Sequence, residues 1–403
     1  MKIRTWARIA PALALALAGC KGFWDVPSGS GSGGGNGSNS GVFYVLNQKT
    51  AEVVGYSIAS GSTTLTSVGS SISLAGTGPE CMAITRTGGF VYIGTDTGIY
   101  GFSVNATTGA LSALASGQAL VQAPVFRIAV DPSGNWLIAA ATGVAQIVAY
   151  QLDPTTGGLL NNGTTQALNL NSGATAIQGI AVTPSSSTNA YVFVAEGQNG
   201  FQVVPLNSAA STTIPLGNPA NPVAPVHTLG ADLAIAVDSS TTRPLLYVAE
   251  TGALTATTAQ PQTGGLRVFN IGANSAVTEL TSAGSPYATG GTGPSAILPT
   301  TSYVYVANRA VQGSSTGNIT AFAITTTGTA NSLTAVTDGT IAAGTGTAGL
   351  AEDNTGTYIL AVNPSGSPDL NVYTIQTSGA LKSYGTAATG SDPTQAISIV
   401  AHP

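Results

Sequence analysis

Seven copies of one short apolar motif recur along the chain, and this repetition constrains the fold more than any other feature. Each copy is a run of apolar, mostly β-branched or aromatic residues that ends in a polar or small residue. A self-similar period of about 20–50 residues is typical of solenoids and propellers. The copies are residues 43–47, 91–95, 136–140, 192–196, 246–250, 304–308 and 359–363.

A second strand motif follows each copy, and apolar residues occupy both of its faces. In the copy that begins at Ile99, Phe102 and Val104 share one face, while Gly101 lies on the other. An isolated sheet would leave one face in water, so each sheet must pack between two neighbours, as propeller blades do. The second motifs begin at Val53, Ile99, Ile147, Phe201, Leu266, Ile319 and Leu370.

A third apolar element precedes every copy of the first motif except the copy at Phe43, which follows a Gly/Ser-rich stretch. The missing strand occurs at the other end of the chain, at residues 396–400. We therefore predict an all-β, seven-bladed β-propeller of four-stranded antiparallel blades, closed by a C-terminal strand that completes the first blade. The alternative, an open β-solenoid, usually has shorter repeats and capped ends.

The N-terminal residues have the layout of a secretory signal, with basic residues before a short apolar run at residues 9–18. Residues 17–20 end in Cys20 and resemble the lipobox of bacterial lipoproteins. We predict a signal peptide over residues 1–19, a lipidated Cys20 with a flexible Gly/Ser tether over 20–41, and the propeller over 42–403. Lys21 after the cysteine favours sorting to the outer membrane, on its periplasmic or surface face.

Net charge, cysteine content and ligand spacing limit the partners and cofactors that we expect for this chain. The chain has a formal net charge of -5, and loss of the signal would remove Lys2, Arg4 and Arg8, so nucleic acid is not expected as a partner. Cys81 has no partner if Cys20 is acylated, and we interpret it as a buried small hydrophobe. No metal-ligand spacing is present, and we expect a monomer without a cofactor.

Several motifs carry a family resemblance. They are residues 131–134 (Asp-Pro-Ser-Gly) before a strand, the strand at 304–308, and the tail at 150–159, which contains Asp-Pro-Thr-Thr-Gly-Gly. Over the whole region after the tether, the sequence resembles the seven-bladed lactonase family, which includes 6-phosphogluconolactonase and overlaps the YVTN-repeat propellers of bacterial surfaces. The resemblance implies His, Arg and Glu side chains around a central opening.

Candidate catalytic residues follow from this resemblance and from the strand ends. His227 follows Pro225-Val226 ahead of a strand and loosely resembles the family's Pro-His; the alternative is a loop histidine. Glu196 and Glu250 end two strands and could act as general base or bind a cation if they face the same funnel. The alternative is that they satisfy turn backbones.

Candidate ligand-binding residues are Arg127, Arg309, Asn47, Asn308 and Asn363, which lie at or next to strand ends.

Two functions remain open at this point. The first is a binding protein of the cell envelope that contacts a protein or glycan. The second is a hydrolase of lactones or carboxylic esters, such as 6-phosphogluconolactone, at the central funnel. Convergence of the candidate Arg, His and Glu residues in one funnel would favour the second function.

Overall fold

A computed structural model of the chain describes residues 39–59, 64–74, 76–141, 143–160, 165–174, 176–184, 189–227, 230–238, 244–252, 264–327, 330–390 and 395–403. The predicted signal peptide, Cys20 and nearly all of the predicted tether lie outside these residues. In the described part of the chain, no helix is both long enough and apolar enough to cross a membrane.

The described residues form 28 strands and two short 3₁₀ helices, Ala115–Gly117 and Thr281–Ala283. Gly and Thr/Ser-rich turns separate the strands, and the strands themselves are rich in the β-branched and aromatic residues that favour extended backbone. In chain order the strands are β1 (Asn39–Asn47), β2 (Glu52–Ala59), β3 (Leu65–Ser73), β4 (Pro79–Ile84), β5 (Phe90–Thr95), β6 (Ile99–Val104), β7 (Leu111–Ala113), β8 (Val125–Val130), β9 (Trp136–Ala141), β10 (Gln146–Gln151), β11 (Thr165–Asn169), β12 (Gly179–Val182), β13 (Asn189–Ala195), β14 (Phe201–Asn207), β15 (Asp232–Val237), β16 (Leu245–Glu250), β17 (Gly265–Ile271), β18 (Val277–Glu279), β19 (Tyr287–Ala288), β20 (Thr292–Pro299), β21 (Tyr303–Ala310), β22 (Thr316–Thr327), β23 (Ala330–Thr345), β24 (Gly349–Glu352), β25 (Tyr358–Val362), β26 (Leu370–Ile375), β27 (Leu381–Ala387) and β28 (Ala396–Ala401).

These strands form seven antiparallel sheets, so the predicted seven-bladed propeller is confirmed. From the central axis outward, blade 1 is β28-β1-β2-β3, blade 2 is β4 to β7, blade 3 is β8 to β11, blade 4 is β12 to β14, blade 5 is β15 to β18 with β19 beside β17, blade 6 is β20 to β23, and blade 7 is β24 to β27.

Blade 4 departs from the four-stranded pattern, since only three of its strands lie in the described residues. Its outer edge is met by a segment that contains Pro215, Pro219 and Pro222 and forms only isolated bridges, Leu206 to Leu216 and Phe201 to Val223. Proline lacks the backbone N–H that a regular ladder requires. The segment therefore covers the edge without becoming a strand.

The ends of the described chain meet in blade 1, and the predicted closure is confirmed. β28 pairs with β1 in antiparallel register, with Val45 opposite Ile399 and Phe43 opposite Ala401. The backbone N–H of His402 also donates to the carbonyl of Val42 at 2.7 Å. β28 thereby covers the inner edge of β1, which would otherwise be unpaired.

Neighbouring blades are joined by apolar clusters and by a recurring tyrosine contact. A buried tyrosine in the second strand of one blade donates its hydroxyl to a glycine carbonyl in the outer hairpin of the next blade. Each glycine has a positive φ of 70–85°, and a Cβ on Gly157 would collide with the Phe90 ring. The tail motif therefore has a packing role between blades. The pairs are Tyr44 with Gly109 (2.6 Å), Tyr92 with Gly157 (2.9 Å) and Tyr305 with Gly379 (3.0 Å).

Candidate functional site

The innermost strands of the seven blades surround a central channel with a cavity of about 720 Å³. These strands are β4, β8, β12, β15, β20, β24 and β28, and each contributes lining residues at equivalent positions. We call the face at which the innermost strands begin the upper face. The same face carries the ends of the second strands, because neighbouring strands are antiparallel.

The lower layer of the channel lining is aliphatic in every blade. Seven residues at the same position of the innermost strands line the cavity, and each is opposite the third residue of the neighbouring strand's repeat. The outcome is a continuous apolar band around the axis, which we call the aliphatic ring. Its members are Met82, Ile128, Ile180, Ile235, Ile297, Leu350 and Ile399.

The layer above the aliphatic ring is built from small residues with one exception, Arg127. The Arg127 Nε donates to the carbonyl of Gln178 and its Nη1 to the carbonyl of Phe126, each at 2.7 Å. Its guanidinium carbon lies 4.3 Å from the centre of the Phe126 ring. Burial lowers the pKa of Arg127, and the nearby Cys81 and Glu80 oppose that shift. The small members of this layer are Cys81, Gly179, Ala234, Ala296, Gly349 and Ser398.

Polar and apolar side chains both line the upper end of the channel, where the apolar ones are Phe126, Leu233, Ala348 and Ile397. Among the described residues, the Glu80 carboxylate and the Arg309 guanidinium take part in no hydrogen bond or ion pair, although both face the same cavity as Arg127. Burial raises the pKa of Glu80, the charge of Arg127 lowers it, and the charge of Asp96 raises it. Gln48, Gln178, Ser295 and Ser365 complete the polar lining.

Two of the predicted binding residues, Arg127 in β8 and Arg309 in β21, line the channel, and their role in ligand binding stays a prediction. The predicted residues Asn47, Asn308 and Asn363 do not line the cavity. Each is fully buried and binds the loop that leads into the innermost strand of its own blade. These contacts include Asn47 Nδ2 to the Thr389 carbonyl (3.0 Å), Asn308 Nδ2 to the Thr289 carbonyl (3.1 Å) and Thr347 Oγ1 to Asn363 Oδ1 (2.8 Å).

The two predicted glutamates are also buried and do not line the cavity. Glu196 accepts hydrogen bonds from Gln202 Nε2 at 3.0 and 2.9 Å, and burial raises its pKa. Glu250 accepts from the backbone N–H groups of His227 (2.6 Å) and Val226 (3.0 Å), and its Oε1 lies 2.9 Å from His227 Nδ1. The Glu250 contacts are to the backbone of the loop before β15, as the alternative interpretation describes, whereas Glu196 binds the Gln202 side chain of the neighbouring strand β14. Catalytic roles for Glu196, Glu250 and His227 stay predictions, and the channel does not bring them together with the arginines.

Local strand pairing explains why the sequence analysis missed Glu80 and Gln178. Glu80 lies where the pairing of β4 with β5 shifts between Pro79 and Cys81, and Gln178 lies just before β12. The sequence repeat therefore does not show which way either side chain points. In blade 3 the repeat was also misaligned by one residue, because Ala140 is opposite Ile147 and Arg127, so that Ala141 ends the repeat.

A second group of charged side chains lies buried in blade 5, away from the channel lining. Arg267 forms an ion pair with Glu279 at 2.8 Å and lies 3.6 Å from Glu250. Asp232 is buried beside them, and neither of its carboxylate oxygens has a hydrogen-bond partner among the described residues. Burial raises the pKa of Asp232 to about 8, with Arg267 opposing the shift and Glu250 and Glu279 adding to it.

Comparisons with known proteins agree with this architecture. Residues 37–173 match a family model described as lactonase, 7-bladed beta-propeller. No curated protein matches the chain. Among solved structures, a candidate 6-phosphogluconolactonase from Bacteroides fragilis has a TM-score of 0.66 at 13% identity, over 92% of this chain and 99% of that one.

Two further structures are similar to the same extent. A candidate 6-phosphogluconolactonase from Bacteroides uniformis has a TM-score of 0.65 at 13% identity, over 90% of this chain and 100% of that one. The periplasmic gluconolactonase PpgL of Pseudomonas aeruginosa has a TM-score of 0.62 at 13% identity, over 90% and 99%. At this identity the likeness shows the fold alone. The resemblance to the lactonase propellers is therefore confirmed, by the family match over residues 37–173 and by the seven-bladed fold of the described chain.

Proposed function

We propose that this chain hydrolyses a lactone or related carboxylic ester bound at the upper end of the central channel. The observation that carries the proposal is the unpaired Glu80 carboxylate, which faces the same cavity as Arg127 and Arg309. A carboxylate with a raised pKa in a cavity, beside cations that it does not pair with, is a common arrangement at catalytic sites. The resemblance to lactonase propellers supports the reaction class.

In the proposed reaction, Glu80 removes a proton from a water molecule as that water attacks the lactone carbonyl carbon. The carbonyl oxygen becomes an oxyanion, which the guanidinium groups of Arg127 and Arg309 stabilise. The bond from the carbonyl carbon to the ring oxygen then breaks, and the leaving alkoxide takes the proton from Glu80. The product is a hydroxy acid, whose carboxyl group releases its proton to solvent, and the resulting carboxylate faces the same two arginines.

The two arginines differ in how they would contribute. Arg127 is fixed by two backbone carbonyls and by the Phe126 ring, so its position needs no rearrangement when charge develops on the substrate. Arg309 is exposed at the channel mouth and is free to adjust to the ligand. We therefore expect Arg127 to orient the carbonyl and Arg309 to attract the anionic product or an anionic substituent.

The test is hydrolysis of a panel of five- and six-membered lactones and aryl esters by the purified protein, measured as acid release. We expect turnover of at least one lactone, and a fall in kcat/KM of about tenfold for Arg309→Gln because a charge-assisted contact is lost. Arg86→Gln is the matched control, since Arg86 is exposed and outside the channel lining. A folded protein that hydrolyses no member of the panel would rule the proposal out.

The second candidate is a non-catalytic binding protein of the cell envelope that contacts a protein or glycan. It is favoured by the lipobox-like Cys20, by the Gly/Ser-rich tether and by a sequence with only two histidines, His227 and His402. The same panel separates the candidates, because a binding protein would hold a ligand without releasing acid.

For either candidate, we propose export and anchoring in the outer membrane through lipid on Cys20, because Lys21 follows the cysteine. The Cys20→Ala variant is expected to move from the membrane fraction to the soluble fraction after cell lysis, since two or three acyl chains would be lost. The sole cysteine in the described residues, Cys81, provides the matched control, because Cys81→Ala should leave the protein with the membranes. Retention of Cys20→Ala in the membrane fraction would refute lipid anchoring.

A further inference from the structure

We infer that the lactone taken by this site carries an unbranched aliphatic chain, which lies in the lower part of the channel against the aliphatic ring. This inference rests on the proposed lactone hydrolysis for the polar head of the ligand. The inference concerns the alkyl part of the ligand, which does not contact Glu80, Arg127 or Arg309.

The aliphatic ring is the first observation. All seven innermost strands place Met, Ile or Leu at this position, and Ile180, Ile235, Ile297 and Leu350 keep part of their surface open to the cavity. Apolar surface that faces a cavity gains free energy when an apolar ligand covers it. Sugar hydroxyl groups at this depth would lie against side chains without nitrogen or oxygen atoms, so only backbone groups at the free edges of the innermost strands could bind them.

The layer of small residues above the ring is the second observation. Gly179 and Gly349 contribute no side chain to it. A Cβ at Gly179 would lie 3.2 Å from Ile235 Cγ2, and a Cβ at Gly349 would lie 3.0 Å from Val362 Cγ2 and 3.4 Å from Ile399 Cγ2. Arg127 is the one large side chain at this level, and it is held by the Phe126 carbonyl of its own strand and the Gln178 carbonyl just before β12. The lining at this level therefore leaves room for a thin chain below a head group near Glu80.

The size of the cavity fits the same ligand. At about 720 Å³ it lies within the range of roughly 300–1,000 Å³ that is usual for sites of drug-sized ligands. A five- or six-membered lactone ring alone would leave much of this volume filled with water against apolar side chains. A ring that bears a medium-length alkyl chain would use both the polar upper end and the aliphatic ring.

The first test compares kcat/KM of the purified protein for γ-lactones with alkyl substituents from methyl to hexyl, with glucono-δ-lactone as the polar reference. We expect kcat/KM to rise about fourfold for each added methylene until the ring is covered. Values that do not change with chain length, or a clear preference for glucono-δ-lactone, would overturn the inference and leave the proposed hydrolysis standing.

The second test measures binding of γ-alkyl lactams by calorimetry, because a lactam reports on the chain without requiring turnover. If no lactone is hydrolysed, the proposed hydrolysis fails, while chain-length-dependent lactam binding would still support the aliphatic site. Lactam affinity that does not depend on chain length would overturn the inference in either case.

Variants of the aliphatic ring localise the effect. Ile235→Ala is expected to reduce the gain per methylene, so that kcat/KM falls more for the hexyl lactone than for the methyl lactone. Ile297→Val is the conservative second variant if the first does not fold. Ile375→Ala is the matched control, since Ile375 is also partly buried but does not line the channel. An equal loss for short and long lactones in the ring variants would contradict the placement of the chain.

Discussion

Replacing Glu80 by glutamine is expected to lower kcat/KM for the best lactone by at least about 100-fold, the lower end of the usual contribution of a general base. Glutamine keeps the size and shape of the side chain but cannot accept a proton from water. Binding of an alkyl lactam should change much less than turnover, because the lactam does not require proton removal.

The pH profile gives this prediction a second readout. Burial raises the pKa of Glu80, and a general base works only when it is deprotonated. Activity should therefore rise with pH through the pKa of Glu80, and the acidic limb should lie above the pKa of about 4.3 of an ordinary glutamate. The residual activity of Glu80→Gln should lack this limb.

Glu52→Gln is the matched control, because Glu52 lies on β2 and does not line the channel. It should keep both the rate and the pH profile of the unmodified chain. If Glu80→Gln keeps full activity, or loses activity but retains the acidic limb, another group is the base and the proposed mechanism is wrong.

The second large effect is expected on stability. Asp232→Asn should be more stable than the unmodified chain at pH 8 to 9, and the difference should disappear toward pH 4. Asp232 is buried beside Glu250 and Glu279, both of its carboxylate oxygens lack hydrogen-bond partners among the described residues, and burial raises its pKa to about 8. Asparagine has a similar shape and needs no proton to remain neutral.

The sign follows from proton linkage. The folded chain holds a proton on Asp232 up to about pH 8, whereas the unfolded chain releases it near pH 4. The folded state therefore binds more protons between these values, and its stability falls as pH rises from about 4 to about 8. At about 1.4 kcal/mol per pKa unit, the loss is on the order of 5 kcal/mol, which the asparagine avoids. For a chain of this size, that corresponds to a Tm difference of about 5 °C at pH 8.

Thermal unfolding followed by circular dichroism at pH 4, 6, 8 and 9 checks this expectation. Asp338→Asn is the matched control, because Asp338 is exposed and has a φ of 54°, which asparagine also accepts. A Tm for Asp232→Asn equal to or below that of the unmodified chain at pH 8 would contradict the assignment of a neutral Asp232.

The repeat predicted the fold well, because burial on both faces of each strand can be read from the alternation of residues such as Phe102 and Gly101. The closing strand could be predicted because the copy at Phe43 had no partner before it. Blade 4 could not be predicted in the same way. Its outer segment has apolar residues such as Leu216 and Val223 at suitable spacing, but the prolines between them prevent a continuous ladder.

The site was predictable only in part. Arg127 and Arg309, which the sequence analysis named from their positions next to strands, line the channel. Asn308 and Glu250 have equally suitable sequence positions, yet their side chains turn into the blade interior. The direction in which a side chain points at these strand ends depends on local shifts in strand pairing, such as the shift between Val125 and Arg127. The sequence repeat does not reveal such shifts.

The joining of β28 to β1 has a consequence for how the chain is made. β28 follows all other described strands in the chain. During synthesis the inner edge of β1 therefore stays unpaired until the ribosome has produced blade 7 and β28. A partly synthesised chain is therefore an open arc of blades with an unpaired strand edge on β1 and an uncovered face on its last blade. Either surface can associate with another such chain as readily as the two can join to each other. Chaperones that bind exposed strand edges would be most useful to this protein before β28 has been synthesised. A fusion partner attached after β28 would lie directly beside the junction of β28 and β1.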